Sequence, residues 1–242
     1  MLLIFEIKRM IKGKDWIGLV VGMVVMILAA IINSIVVQPM FEGCISIQYD
    51  YYCGISQLMP FVFAPSIGNY LTKDYENNND FFYKNIGISR KRYYLTRAIV
   101  LMFFGVVIIM LGSGVYFLKE KTDVIHSVGI LVILILQYIY TLLLSCLLAF
   151  YAKKRIFTIV IIIFGTMILS ILNVLPLPLI QGRLFMLDGH SIITENVNAY
   201  LTQNDMGCYW NCIIRLLVWI FVLFGIYYIG IMKGQKGRKN EK

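Results

Sequence analysis

Long apolar runs, separated by short polar clusters that carry almost all of the charge, set the pattern of this chain. A helix crossing a hydrocarbon core about 30 Å thick needs about 20 consecutive, mostly apolar residues. Six stretches meet or approach that length: 16–37, 56–71, 95–118, 127–151, 156–175 and 213–232. The second is the weakest, being short and holding Pro60, Pro65, Gly68 and Asn69. It fits a true span, and it also fits a kinked or partly re-entrant segment; irregular backbone at membrane depth has to be buried in protein. The first run follows four basic residues, as a secretory signal does. It extends for about 22 residues where a signal's apolar core has about 7–15, so it reads as an uncleaved span. The pattern predicts an all-α integral membrane protein, a single transmembrane domain over residues 1–242 with six transmembrane helices.

Composition agrees. A soluble domain carries about 25% charged and about 45–50% apolar residues, whereas this chain of 242 residues has 14% and 60%, with a mean hydropathy of +0.78. Soluble enzymes, nucleic-acid-binding modules and disordered proteins are thereby disfavoured. The formal charge of +9 raises the question of a nucleic-acid partner, and the positions of the cations answer it. With six spans, one side collects Lys8, Arg9, Lys12, Lys14, Lys73, Lys84, Arg90, Lys91, Arg92, Arg97, Lys153, Lys154, Arg155, Lys233, Lys236, Arg238, Lys239 and Lys242. The other holds Lys119, Lys121, Arg183 and Arg215. Under the positive-inside rule both termini are cytoplasmic, and the second span is needed to keep the 73–97 cluster inside. The basic charge thus has a topological explanation, and no nucleic-acid partner is expected. The segments between spans are too short to bury a core of their own, so any catalytic domain has to be on another chain.

Three of these outer and inner segments have distinctive patterns. In 2–14, Leu3, Ile4, Ile7, Met10 and Ile11 share one helical face, while Glu6, Lys8, Arg9, Lys12 and Gly13 lie on or near the other. That suits an amphipathic interfacial helix facing anionic lipid, or equally a basic flank that only sets topology. The cytoplasmic loop 72–94 carries an Asn/Asp run, then Phe81, Phe82, Tyr83 and Ile86, then Gly87 and Ser89. It reads as an N-capped short helix with exposed aromatics, ended by Gly87, with Ser89 capping the next helix. Aromatics in a loop that is polar and basic on both sides favour docking to a protein partner over a place in the lipid interface. The outer segment 176–212 opens with Pro176 and Pro178, which stop the fifth span, and then suits short interfacial or re-entrant helices.

Of five cysteines, Cys44, Cys53, Cys208 and Cys212 fall on the outer side and Cys146 within a span. An even number in an oxidising compartment favours disulfides, and four cysteines allow three pairings. Free thiols and a metal site are the alternatives; the latter lacks the close spacing of structural zinc sites. The acidic residues lie outside the apolar runs or at their edges, so the relay carboxylate of an ion-coupled carrier is missing. His126 and His190 are far apart and external, which removes an HExxH metalloprotease. The Gly225 to Gly230 spacing is followed by Ile231 and Met232 where a P-loop needs Lys and Ser or Thr. Asn33, Ser34, Asn69, Gln137, Thr141, Ser145 and Asn173, polar within spans, are read as hydrogen-bonding between helices.

Taken together, the basic amphipathic N-terminus, the six spans, the aromatic loop running into Gly87-Ile88-Ser89-Arg90-Lys91-Arg92-Tyr93-Tyr94-Leu95 and the broken outer segment form a layout. It resembles the membrane subunit of ABC-2 (type V) exporters, particularly the small Gram-positive permeases of lantibiotic and antimicrobial-peptide export or immunity. The resemblance implies a coupling helix in loop 72–94, with Glu76, Asp80, Phe81, Phe82, Tyr83 and Lys84 as the docking surface for an ABC ATPase subunit present in two copies. It further implies a second permease, identical or not, a peptide substrate of hydrophobic or amphipathic character, and alternating access in the cell membrane. ATP and Mg would belong to the partner ATPase, with no cofactor on this chain and no enzymatic activity of its own. The rival expectation is a non-transporting membrane immunity or scaffold protein that binds a peptide at its outer face.

Overall fold

A chain without water to hydrogen-bond its backbone satisfies N–H and C=O groups within each segment, and long apolar runs therefore become helices. The computed structural model describes residues 2–36, 47–76, 87–152, 154–174 and 192–236. Among these, the order is α1 (Leu2–Lys12), α2 (Asp15–Val36), α3 (Ile47–Glu76), α4 (Arg90–Glu120), α5 (Val124–Ala152), α6 (Arg155–Val174), α7 (Ile192–Gln203) and α8 (Met206–Lys236), with no strand. Four helices, α2, α4, α5 and α8, contain stretches long and apolar enough to cross a membrane. The chain is an all-helical, multi-pass membrane protein.

The boundaries follow local chemistry. Gly13 N–H donates to the Arg9 carbonyl at 2.8 Å and Lys14 takes the left-handed conformation (φ 57°), so the chain turns from α1 directly into α2. Ser89, extended at φ −65° and ψ 143°, caps α4 by accepting the Arg92 N–H at 3.3 Å, as the sequence predicts. Gly87 precedes it at φ 77°, a conformation a side chain disfavours.

α3 differs most from expectation. It is one continuous helix of 30 residues with Pro60 and Pro65 inside it, well beyond the 16-residue run that the apolar pattern marks. Each proline removes one backbone donor, and the loss is tolerated because α3 packs against α2, α4, α5, α6 and α7. This central position also explains its polar sequence: Tyr51 donates to Ser113 Oγ of α4 at 2.9 Å, and Gln137 of α5 donates to the Tyr52 hydroxyl at 2.7 Å. Of the other polar residues within runs, Asn69 also bonds across helices, whereas Thr141 and Ser145 donate to carbonyls four residues back in their own helix. The side chains of Asn33, Ser34 and Asn173 lie outside the described set.

α2 and α3 approach closely along Gly18, Gly22 and Ala30 of α2. A Cβ on Gly18 would collide with Ser66 Oγ, one on Gly22 would lie 2.8 Å from Val62, and one on Gly54 3.3 Å from the Ala30 backbone. Small residues four apart allow this in a medium that offers no hydrophobic drive between helices. Cross-contacts fix the helix directions. The start of α2 meets the end of α3 through Asp15 and Lys73, and the start of α4 meets the same end through Arg97 and Leu71. At the opposite end Tyr51 near the start of α3 stacks on Tyr116 near the end of α4, 4.2 Å between centroids. α2 and α4 therefore both run antiparallel to α3.

Candidate coupling site

The basic end of the bundle holds the most polar part of the interior. Glu6 and Arg97 are both fully buried, with Arg97 Nε 3.8 Å from Glu6 Oε2. The same carboxylate oxygen accepts the Tyr70 hydroxyl at 2.8 Å, and its other oxygen lies 3.6 Å from Arg9 Nη1. Arg97 reaches further: Nη1 donates to the Leu71 carbonyl at 3.1 Å and to the Tyr93 hydroxyl at 2.7 Å, and Nη2 donates to the Tyr70 carbonyl. Its guanidinium carbon sits 4.5 Å from the Tyr70 ring centroid and 5.3 Å from that of Tyr93.

Each element contributes for a local reason. Leu2, Glu6 and Met10 are spaced four apart on α1 and form the stripe it buries, while Leu3, Ile4, Phe5 and Ile11 are exposed. The amphipathic helix of the sequence pattern exists, with a correction: Glu6, expected with the polar residues, is buried in the protein beside Met10, and of the expected apolar face Leu3, Ile4 and Ile11 are exposed. The carbonyls of Tyr70 and Leu71 lie near the C-terminal end of α3, where the helix dipole is negative, so a guanidinium is the suitable donor there. Arg97 occupies the second turn of α4, and Tyr93 precedes it by four residues on the same face. One buried cluster thus ties α1, the end of α3 and the start of α4 together. α8 adds a tether, since Lys91 Nζ donates to the Tyr228 hydroxyl.

In the chain, the end of α3 and the start of α4 flank the segment that the sequence singles out. Glu76 is the last residue of α3, with its side chain outside the described set, and Asp80, Phe81, Phe82, Tyr83 and Lys84 all lie outside the described residues. The buried cluster, rather than the loop itself, is what the structure brings together. The sequence pattern places Arg97 among the cytoplasmic cations and Glu6 on a solvated face, and so misses the pair. The signal available is a cation just inside an apolar run, which has to be paired if it is buried.

Among the described residues no disulfide joins the outer cysteines. Cys53, Cys208 and Cys212 are free thiols, and Cys44 lies outside the described residues. Cys208 Sγ donates to the Asp205 carboxylate at 3.2 Å and the buried Cys212 Sγ to the Ile193 carbonyl at 3.5 Å. Both stand on α8 four residues apart, a separation from which helical side chains seldom reach disulfide geometry. Among the described residues no three His, Cys, Asp or Glu side chains group as metal ligands.

No family model, curated protein or solved structure matches the chain.

Proposed function

We propose that this chain is the membrane-spanning permease subunit of an ATP-driven ABC-2-type exporter, with six spans (α2, α3, α4, α5, α6 and α8), both termini cytoplasmic, and a separate ATPase docked on loop 72–94. The observation that carries the reading is the Glu6–Arg97 cluster, which joins α1 to the helix ends on either side of that segment. A docking loop transmits force only if its two ends move as one body. Here the closing ATPase would pull on α3 and α4 through a junction that cannot shear without separating a buried ion pair. The substrate in this reading is a hydrophobic or amphipathic peptide, which can partition to an uncharged helical surface between two permeases without charged ligands. The ATPase pair supplies ATP hydrolysis and holds the Mg.

Affinity purification of the tagged protein in mild detergent tests the partner directly: a soluble ATPase of about 25–35 kDa, in the usual size range of one domain, should co-purify. Replacing Phe81 and Phe82 together by Ala should abolish substrate-stimulated ATP hydrolysis by the complex while leaving membrane insertion unchanged. Hydrolysis at the wild-type rate in that variant would remove the docking role from the loop.

A further inference from the structure

α1 does not continue along the axis of α2. Glu6 Oε2 accepts the Tyr70 hydroxyl at 2.8 Å. Asp15, beyond the turn at Gly13 and Lys14, lies 3.8 Å from Lys73 Nζ and accepts at 3.4 Å from Asn69, whose amide oxygen in turn accepts from Arg155 Nη1 at 3.1 Å. Both ends of this stretch therefore sit beside the same last turns of α3. A helix running on along the bundle axis would carry Glu6 roughly 14 Å from the level of Asp15. α1 thus lies across the end of the bundle, close to the plane of the bilayer. That plane is where the apolar stretches begin, at Asp15 in α2 and at Lys91 in α4.

In that position the circumference of α1 divides into three sectors, since successive side chains turn by about 100°. Leu2, Glu6 and Met10 face the bundle and are buried. On one flank follow Leu3, Ile7, Ile11 and Ile4; Ile7 is half-buried and the other three are exposed. On the other flank stand Lys8, Lys12 and Phe5, all exposed. A helix resting on the side of a soluble protein turns polar residues to its whole uncovered side, whereas half of the uncovered side here is aliphatic. An aliphatic flank and a cationic flank on opposite sides of the buried stripe suit a helix lying in an interface, one turned to acyl chains and the other to headgroups.

We propose that the uncovered face of α1 binds the surface of an anionic lipid leaflet, with Leu3, Ile4 and Ile11 among the acyl chains and Lys8 and Lys12 on lipid phosphates. Charge selects this occupant. Glu6, the one acidic residue of α1, is turned inward onto Arg97, so the charges left on the outer face are cations. A leaflet of net negative charge attracts them and a zwitterionic one does so far less. A second copy of the chain would bring the same cations to the contact and be repelled. The lysine stems lie along apolar surface while their ammonium groups stay in the phosphate layer. This contact does not depend on the exporter reading.

The full chain is placed in nanodiscs of phosphatidylcholine alone and of equal phosphatidylcholine and phosphatidylglycerol, and deuterium exchange of the α1 amides is compared. Exchange should be about fivefold slower in the mixed discs, the effect of one lysine at an anionic surface, and about 0.5 M salt should remove the difference. Lys8→Gln with Lys12→Gln should exchange at the phosphatidylcholine rate in both discs. Equal wild-type rates in the two discs, or an undiminished difference in the double variant, would overturn the proposal. A nitroxide at Ile4→Cys, with the native cysteines replaced, reads the aliphatic flank and keeps its meaning if the double variant fails to fold. It should be open to oxygen and shielded from a water-soluble nickel chelate. Free access of the chelate would make α1 a solvated basic flank, and dipolar broadening between labels would assign the face to a second copy. Either result overturns the lipid contact.

Discussion

At the residue scale the Glu6–Arg97 pair is a large electrostatic commitment. Two buried charges lose several kcal/mol each in hydration and recover it only while both partners stay in place. Glu6→Gln or Arg97→Met alone strands one charge and should cost about 3–5 kcal/mol. The double variant should cost less than the sum of the two, since no unpaired charge remains. Thermal unfolding in detergent across the four proteins measures this; additive losses would mean that the two side chains do not interact. At Gly105, packing and helix propensity oppose each other. An alanine in a helix is ordinarily better than glycine by about 1 kcal/mol, but a Cβ here would overlap the Tyr138 ring. That ring is held by its hydroxyl on the Leu101 carbonyl at 2.8 Å, so it cannot simply swing away. The clash, about 1–3 kcal/mol for an overpacked core, should exceed the propensity gain, and Gly105→Ala should lower the melting temperature.

At the element scale, the helix starts on the side opposite the ion pair are held by two carboxylates. Asp123 accepts the His126 N–H at 3.0 Å at the start of α5, and Asp205 accepts from the backbone of Gly207 at 2.8 Å at the start of α8. The His126 backbone donor holds the Asp123 carboxyl below its ordinary 3.8, and for Asp205 the Cys208 thiol and the following N–H groups do the same. A carboxyl with a depressed folded value stabilises above its unfolded pKa, and that contribution is lost as pH falls through the folded one. Thermal stability should therefore decline below about pH 4, and Asp123→Asn with Asp205→Asn should flatten that decline while still capping both helices. An acid limb unchanged in the variant would place the loss elsewhere. The caps were legible in the sequence at Ser89 and Gly87, because capping is chemistry of neighbouring residues. The continuity of α3 through Pro60 and Pro65 was not, because five other helices enclose it.

At the scale of the whole molecule, α1, the end of α3 and the start of α4 form one junction. If six helices cross the bilayer, single cysteines introduced at exposed Lys12 and Arg92 should react with a membrane-impermeant maleimide only after the cells are opened. One at exposed Lys121 should react in intact cells, with the native cysteines replaced in each case. Labelling of Lys121→Cys only after opening would reverse the proposed orientation.

Length and hydropathy alone determined that the chain is helical and lives in a membrane, and located α2, α4, α5 and α8 to within a few residues at most of their ends. Those properties are local: a run of some 20 apolar residues has the same fate in lipid whatever its neighbours. Which face of α1 is buried, where Arg97 finds its anion and how Asn69 links Asp15 to Arg155 were decided by tertiary structure. Glu6 and Arg97 are separated by most of three helices in the chain, and neither carries any local mark of its partner. A buried charge selects its position by the energy of the pair, and the pair exists only once the helices have packed.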